Sequence, residues 1–358
     1  MVERLMQEPV VAVDTESNSL YAYHEHVCLI QFTIPGTDYL LDPLAFADLK
    51  ELAPFFASKE IEKIFHASDY DLIVLERDYN FTCGKLFDTM WSARILGWPH
   101  VGLGNILEKQ FSIHPNKKFQ RYNWGRRPLD SEAVTYARTD THYLLDLREI
   151  QIAELKAKGR WEEAKETFIY LLEHVSQPEH PDLDKAFWRI KGVQELMPQE
   201  QNVLYQLHLW REYTAQRLDR PTMKVISNRR LVNLARVQPR NKKKLEEAGL
   251  TKIQIRKFGD GILHALTAKP KPLPPPPNGG GHRPPEEVLE RYQALRAWRK
   301  GIAAGRGVDS DVILPNATLW EIARHPPKKL DDLLHIPSIG PWRKRTYGPD
   351  ILVVISEN

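Results

Sequence analysis

The chain has 358 residues and only two cysteines, Cys28 and Cys83, so two or three domains are expected and a disulfide framework or structural zinc site is excluded. Its longest apolar runs, LIVL from Leu72 and ILVVI from Ile351, fall far short of the ~20 residues of a membrane helix. No apolar signal core precedes Glu16, so a cytoplasmic protein with reduced thiols is expected. The net charge of +3 hides an asymmetry: residues 1–150 carry 15 Lys and Arg against 22 Asp and Glu, and residues 221–258 carry 11 against two. An acidic part joined to a basic one suits a cation-requiring enzyme with a polyanion-holding arm.

In chain order, VVAVDTE, VCLIQFTI and DYLLDP read as strands, and a helix is expected around DLKELAPFF. A strand at EKIFHA follows, then a helix from Asp69 to Tyr79 and helical patterns at TMWSARILG and GNILEKQF. Strands first in meander and then interleaved with helices predict an α/β domain, a mixed central sheet flanked by helices. NKKFQRYNWGRRP breaks all periodicity and reads as a functional loop. From Asp130 one long helix is expected to run through Tyr136 and Asp140 into LLDLREIQIAELKAKG.

Beyond residue 178 the pattern becomes all-α. Residues 179–268 and 286–358 are expected to form two helical domains, joined by KPKPLPPPPNGGGHRPP, residues 269–285, a polyproline spacer with a glycine swivel. The two blocks read as repeats. In each, an Asn (Asn228, Asn316) precedes a short amphipathic helix, a second helix begins near Lys-Lys-Leu, and a last helix follows a Gly.

Acids recur where these elements can converge. Asp14 and Glu16 leave one face of the first strand at spacing two. Asp71 lies near the start of a helix, and Tyr136 and Asp140 share a helix face at spacing four. Cleavage of a phosphodiester by two metals requires ions ~3.5–4 Å apart, and carboxylates are the natural ligands of Mg²⁺ and Mn²⁺. Asp14 reads as the bridging ligand, with Glu16, Asp71 and Asp140 sharing the remaining positions and Tyr136 orienting the attacking water. Each has a structural alternative. Asp14 and Glu16 could end a strand, Asp71 with Ser68 could form a capping box, Tyr136 could be a core ring, and Asp140 a solvated helix residue.

These segments resemble the three exonuclease motifs of the DEDD 3′–5′ exonuclease superfamily, an RNase H-like fold, and Tyr136 matches its tyrosine branch; the histidine branch would have His at Thr135. The likeness to ribonuclease D and its relatives rests on VVAVDTES, VCLIQ, FHASDYDL, LFDTMWSARILG, NWGRRPL and ARTDTHYLL. The two C-terminal blocks resemble tandem HRDC domains. The resemblance implies an exonuclease domain over residues 1–178, metal-binding roles for Asp14, Glu16, Asp71 and Asp140, and a water-orienting Tyr136. It also implies a monomer that uses two divalent metal ions, Mg²⁺ or Mn²⁺, and releases nucleoside 5′-monophosphates from the 3′ end of RNA, tRNA precursors or other structured RNA. At Ser17 the chain departs from the aromatic or His common in the family.

For the substrate itself, Thr15, His66, Lys118, Arg121 and Trp124, with Lys242, Lys243 and Lys244 of the basic block, are expected nucleic-acid contacts, because cations hold phosphates and rings stack on bases. For Trp124 packing of its loop is the slightly favoured alternative, and a residue placed like His66 on a buried strand is more often a core histidine. IPSIGPW, residues 336–342, resembles a helix-hairpin-helix turn, which can contact phosphates or serve only as a connector. DNA 3′ ends are the alternative substrate, and a non-catalytic nucleic-acid-binding subunit the alternative class.

Overall fold

The computed structural model describes residues 1–46, 48–174, 182–276 and 284–357. Two compact units result: Met1–Glu16, Val27–Gln177 and Arg283–Asn358 form one, and Ser17–His26 with Pro178–His282 form the other.

In the first unit a five-stranded mixed sheet has the order β3-β2-β1-β4-β5, from β1 (Val10–Ser17), β2 (Val27–Ile34), β3 (Thr37–Leu41), β4 (Glu62–Phe65) and β5 (Leu86–Asp88). β1 pairs parallel with β4 through Val10↔Glu62 and Ala12↔Ile64, β4 pairs parallel with β5, and β2 with β3 is an antiparallel hairpin. Val11, Ala12 and Val13 are fully buried in the middle of the sheet, which is why β1 reads as an unbroken apolar run until Asp14.

The helices of this part are α1 (Asp69–Tyr79), α2 (Thr89–Leu96), α3 (Leu103–Phe111), α4 (Ser131–His142), α5 (Leu144–Ala157) and α6 (Trp161–Glu173). Against the sheet, α4 packs on β2 and β3, α5 on β4 and α6 on β5. The single helix expected from Asp130 is two: it breaks where His142 turns to Asp38 (2.9 Å) and the Tyr143 ring packs on Phe111. The helix expected at DLKELAPFF is a 3₁₀ turn, Lys50–Leu52, and the short helix Ala53–Ala57.

β5 has no counterpart among the predicted strands, because three residues carry no periodicity. Its last residue, Asp88, is fully buried and accepts from the N–H groups of Met90 and Trp91 (2.9 Å each), Ser68 (2.7 Å) and Ala67 (3.3 Å). It therefore caps α2 and holds the turn into α1, where Ala67 has φ +65°. Asp88→Ala should cost about 3 kcal/mol, since each buried donor left unpaired costs ~1–3 kcal/mol. An unchanged urea midpoint would contradict this.

In the second unit, α7 (Pro198–Arg217), α8 (Asn228–Val237), the short helix Lys242–Glu247 and α9 (Lys252–Thr267) surround one core. The other block, in the first unit, has α10 (Glu286–Arg306), α11 (Asn316–Arg324), a 3₁₀ segment Leu330–His335 in place of a second α-helix, and α12 (Pro341–Ser356). The repeat extends to buried detail: Arg211 on α7 donates to the Ile226 carbonyl (3.2 Å), and Arg299 on α10 to the Leu314 carbonyl (2.7 Å), both fifteen residues ahead.

The start of the polyproline segment is not a free spacer. Pro274 is buried, its carbonyl accepts from the Trp188 indole (3.2 Å), and the Lys269 carbonyl accepts from Gln206 (3.2 Å). The glycine swivel at residues 279–281 and the boundary expected at residue 178 lie outside the described residues.

Candidate active site

β1 and α4 bring carboxylates together. On α4 the residues facing the sheet are Ala133, Ala137, Asp140 and Thr141, so the small alanines let the helix approach and Asp140 arrives beside the end of β1. One ligand oxygen each from Asp14, Glu16 and Asp140 lies within 4.8 Å of the others. The Tyr136 hydroxyl, one turn earlier, donates to Asp140.

This crowding is costly without a cation. Burial, then the charges of Asp71, Asp140 and Glu16, hold the Asp14 carboxyl well above the usual carboxylate range. Glu16 is raised by burial and by Asp140 and Asp71. Burial pushes Asp140 up to about 8, with Asp71 adding and the Tyr136 hydroxyl opposing. Tyr136 is itself pushed above the ordinary tyrosine range, by burial first and then by Asp140, Glu16 and Asp14. A set of oxygen donors that repel one another and are removed from water fits hard divalent cations.

Asp71 is not one of the three clustered acids. Its carboxylate accepts from the Thr15 hydroxyl, and burial raises it to about 7 against that hydrogen bond. The capping box suggested by Ser68 is not formed, since Ser68 caps α1 with no side-chain hydrogen bond. Thr15 thus spans the two acidic segments, and Asp71 acts on the others through its charge.

A cavity of about 690 Å³ opens onto Asp14, Glu16, Tyr136 and Asp140, with Thr15 and His66 in its wall, within the range of small-ligand sites. His66 Nδ1 lies 2.9 Å from the Thr89 hydroxyl, and burial lowers the ring to about 4, so it is neutral. The loop NKKFQRYNWGRRP divides between packing and surface. Trp124 is 2% exposed in a small core with Cys28, Phe119 and Ala137, so the expectation that it stacks on a base is corrected: no ring face is open. Arg127 grips Asp42 (2.6 Å) and the Cys28 carbonyl (2.6 Å) and pins the loop to the sheet. Lys118 pairs with Glu132 over the Phe119 ring, while Arg121 is exposed.

Sequence reasoning passed over Gln120, His114 and Asn105, which line the cavity, and preferred Lys118 to its neighbour Lys117 in the same basic and aromatic segment, although it is Lys117 that lines the cavity. Lys117 differs from Lys118 only in which side of a five-residue 3₁₀ turn it occupies, and that is set by burial of Phe119. In the basic block, Lys242 pairs with Asp260 (2.8 Å) and Lys244 with Glu247 (2.6 Å), and Lys243 has no ion pair among the described residues.

Comparison with known proteins agrees with this geometry. The 3′–5′ exonuclease family matches residues 1–155, and the HRDC domain family matches residues 200–266 and 288–355. The chain is ribonuclease D-like: a 3′–5′ exonuclease domain with two HRDC domains. It is 38% identical over 176 residues to Protein RRP6-like 3 of Arabidopsis thaliana, which covers 48% of this chain and 20% of that one. To ribonuclease D of Haemophilus influenzae it is 31% identical over 263 residues, covering 73% of this chain and 66% of that one. It thus spans less than two thirds of the length of either. The crystal structure of Escherichia coli RNase D shares its fold, with a TM-score of 0.70 at 22% identity over 99% of this chain and 95% of that one. Within the ribonuclease D-like chain, the acids, the cavity and the pinned loop all fall inside the exonuclease match, and both buried arginines fall inside the HRDC matches.

Proposed function

We propose that the chain is a 3′–5′ exoribonuclease, dependent on two divalent metal ions, that trims structured RNA such as tRNA precursors to nucleoside 5′-monophosphates in the cytoplasm as a monomer. The observation that carries this reading is the convergence of Asp14, Glu16 and Asp140 within 4.8 Å under a nucleotide-sized cavity, with Tyr136 on Asp140. Its relatives support the RNA assignment: one is a ribonuclease D, and the E. coli structure is described as an exoribonuclease involved in structured RNA processing.

Asp14, Glu16, Asp71 and Asp140 would hold Mg²⁺ or Mn²⁺, the β1 and α1 segments being tied together by the Thr15 hydroxyl on Asp71. When bound, the ions supply positive charge to the attacking and leaving oxygens of the phosphodiester. Tyr136, which donates to Asp140, would orient a water as a hydrogen-bond partner. Neutral His66 shapes the cavity without adding charge. Lys117, at the cavity wall, holds a substrate phosphate.

We assign this chemistry to residues 1–178, and RNA affinity to the basic helical domain 179–268, followed by the linker 269–285 and the domain 286–358. Lys117→Ala should raise KM roughly 10-fold, about 1.4 kcal/mol, and Lys118→Ala should change it less than Lys117→Ala does, since Lys118 is held by Glu132. Equal effects would remove Lys117 from the site. A matched RNA and DNA strand, each labelled at the 5′ end, tests the substrate class: RNA shortened nucleotide by nucleotide is expected, and faster shortening of DNA would reassign the enzyme to DNA ends.

A further inference from the structure

The turn at residues 336–342 offers either a phosphate contact or a mere connector by sequence. In the structure it joins the 3₁₀ segment Leu330–His335 to α12, and its amides face another part of the chain. Gly340 caps α12 and Pro341 occupies its first turn, leaving the next amides directed outward with the positive end of the helix dipole. Those amides are filled. Trp342 N–H donates to Glu166 Oε2 (2.6 Å), Arg343 N–H to Oε1 (3.2 Å), and the Arg343 guanidinium pairs with Oε1 (3.2 Å). Glu166 belongs to α6, in the exonuclease part of the same compact unit. A carboxylate presents two oxygens to backbone N–H groups much as a phosphodiester does. Gly340 leaves room for it: a Cβ there would overlap the Glu166 carboxylate.

The seat is one of several on a single face of α6. Glu163, Glu166 and Thr167 recur at helical spacing three and four. Arg306 of α10 donates to the fully buried Glu163 (2.9 Å), and Arg343 donates to Thr167 (3.0 Å). Arg160 reaches the Arg306 carbonyl (3.0 Å), and Arg94 of α2 pairs with Asp311 (2.6 Å). Val312 is buried in the core of the sheet domain. The Glu166 and Arg343 side chains are only 11% and 5% exposed, so the turn is closed to an outside phosphate while this contact stands.

We propose that residues 340–343 form a phosphate cradle turned inward: Glu166 is its ligand, and the second helical block is a brace on the exonuclease domain, not a second RNA-holding arm. This goes beyond the proposed function, and none of the decisive readouts is catalytic. In the full chain, Glu166→Ala vacates the cradle, and Gly340→Ala displaces the carboxylate from the other side. Each should lower the melting temperature by several degrees and enlarge the radius of gyration in solution scattering, and the double variant should be no worse than the more damaging single one. Inorganic phosphate should raise the melting temperature of Glu166→Ala more than that of the wild type, and should not rescue Gly340→Ala. Affinity for a 3′-tailed RNA, measured with cations chelated, should stay within twofold of wild type in both. Wild-type melting and scattering in both variants would overturn the brace, absence of the phosphate response would overturn the cradle, and a tenfold loss of RNA affinity at unchanged scattering would make the turn an RNA contact.

Discussion

Asp14→Asn is expected to lower the rate of nucleotide release by at least ~10³-fold, in the range that positioned charge contributes to catalysis, and at the same time to stabilise the cation-free protein. The two effects have one origin. Asp14 is raised by burial and by Asp71, Asp140 and Glu16 together, so its charge serves cation binding at the expense of the fold. The sign follows from linkage. Asp140 and Asp71 are raised to about 8 and about 7, against ~3.9 in the unfolded chain. A raised folded-state pKa contributes stability that is complete below the unfolded value and is lost as pH climbs through the folded one. The melting temperature of the cation-free protein should therefore fall between about pH 5 and about pH 8. Mn²⁺ should flatten the fall, and Asp14→Asn should reduce it. A variant that kept wild-type turnover, or a cation-free protein that gained stability over that window, would contradict the assignment.

Tyr136→Phe is expected to reduce kcat roughly 10²-fold with KM nearly unchanged, because it removes one hydrogen bond to the reacting water while leaving the ring in place. The ring is needed for packing: it lies 5.5 Å from Phe119 and 6.3 Å from Trp124, centroid to centroid. An unchanged kcat would make Tyr136 a packing residue only.

The parts of the site carried by one element each were legible in the sequence. Asp14 and Glu16 stood out because a strand buried on both faces ends abruptly in charge, and Tyr136 with Asp140 because a helix repeats its face every three to four residues. What depends on distant partners was not. Asp71 meets Thr15 across 56 positions, Glu166 meets the turn at Trp342 across 176, and Pro274 meets Trp188 across 86. No local pattern encodes such pairs. The loop residues failed for another reason. Phe119 and Trp124 look alike to a reader of composition whether they face a base or a core, and their burial determines that Lys117 reaches the cavity while Lys118 turns to Glu132. The five-stranded order follows from β1 being central, but β5 is too short to announce itself, although Asp88 at its end organises two helix starts.

The central claim is tested most directly by following a 3′-end-labelled structured RNA incubated with the chelated protein, and then with Mg²⁺ or Mn²⁺ restored, with the released label identified by chromatography. The account predicts no release under chelation and, with cation restored, a labelled nucleoside 5′-monophosphate as the first product. Release without cation, or label appearing first in an oligonucleotide, would contradict it.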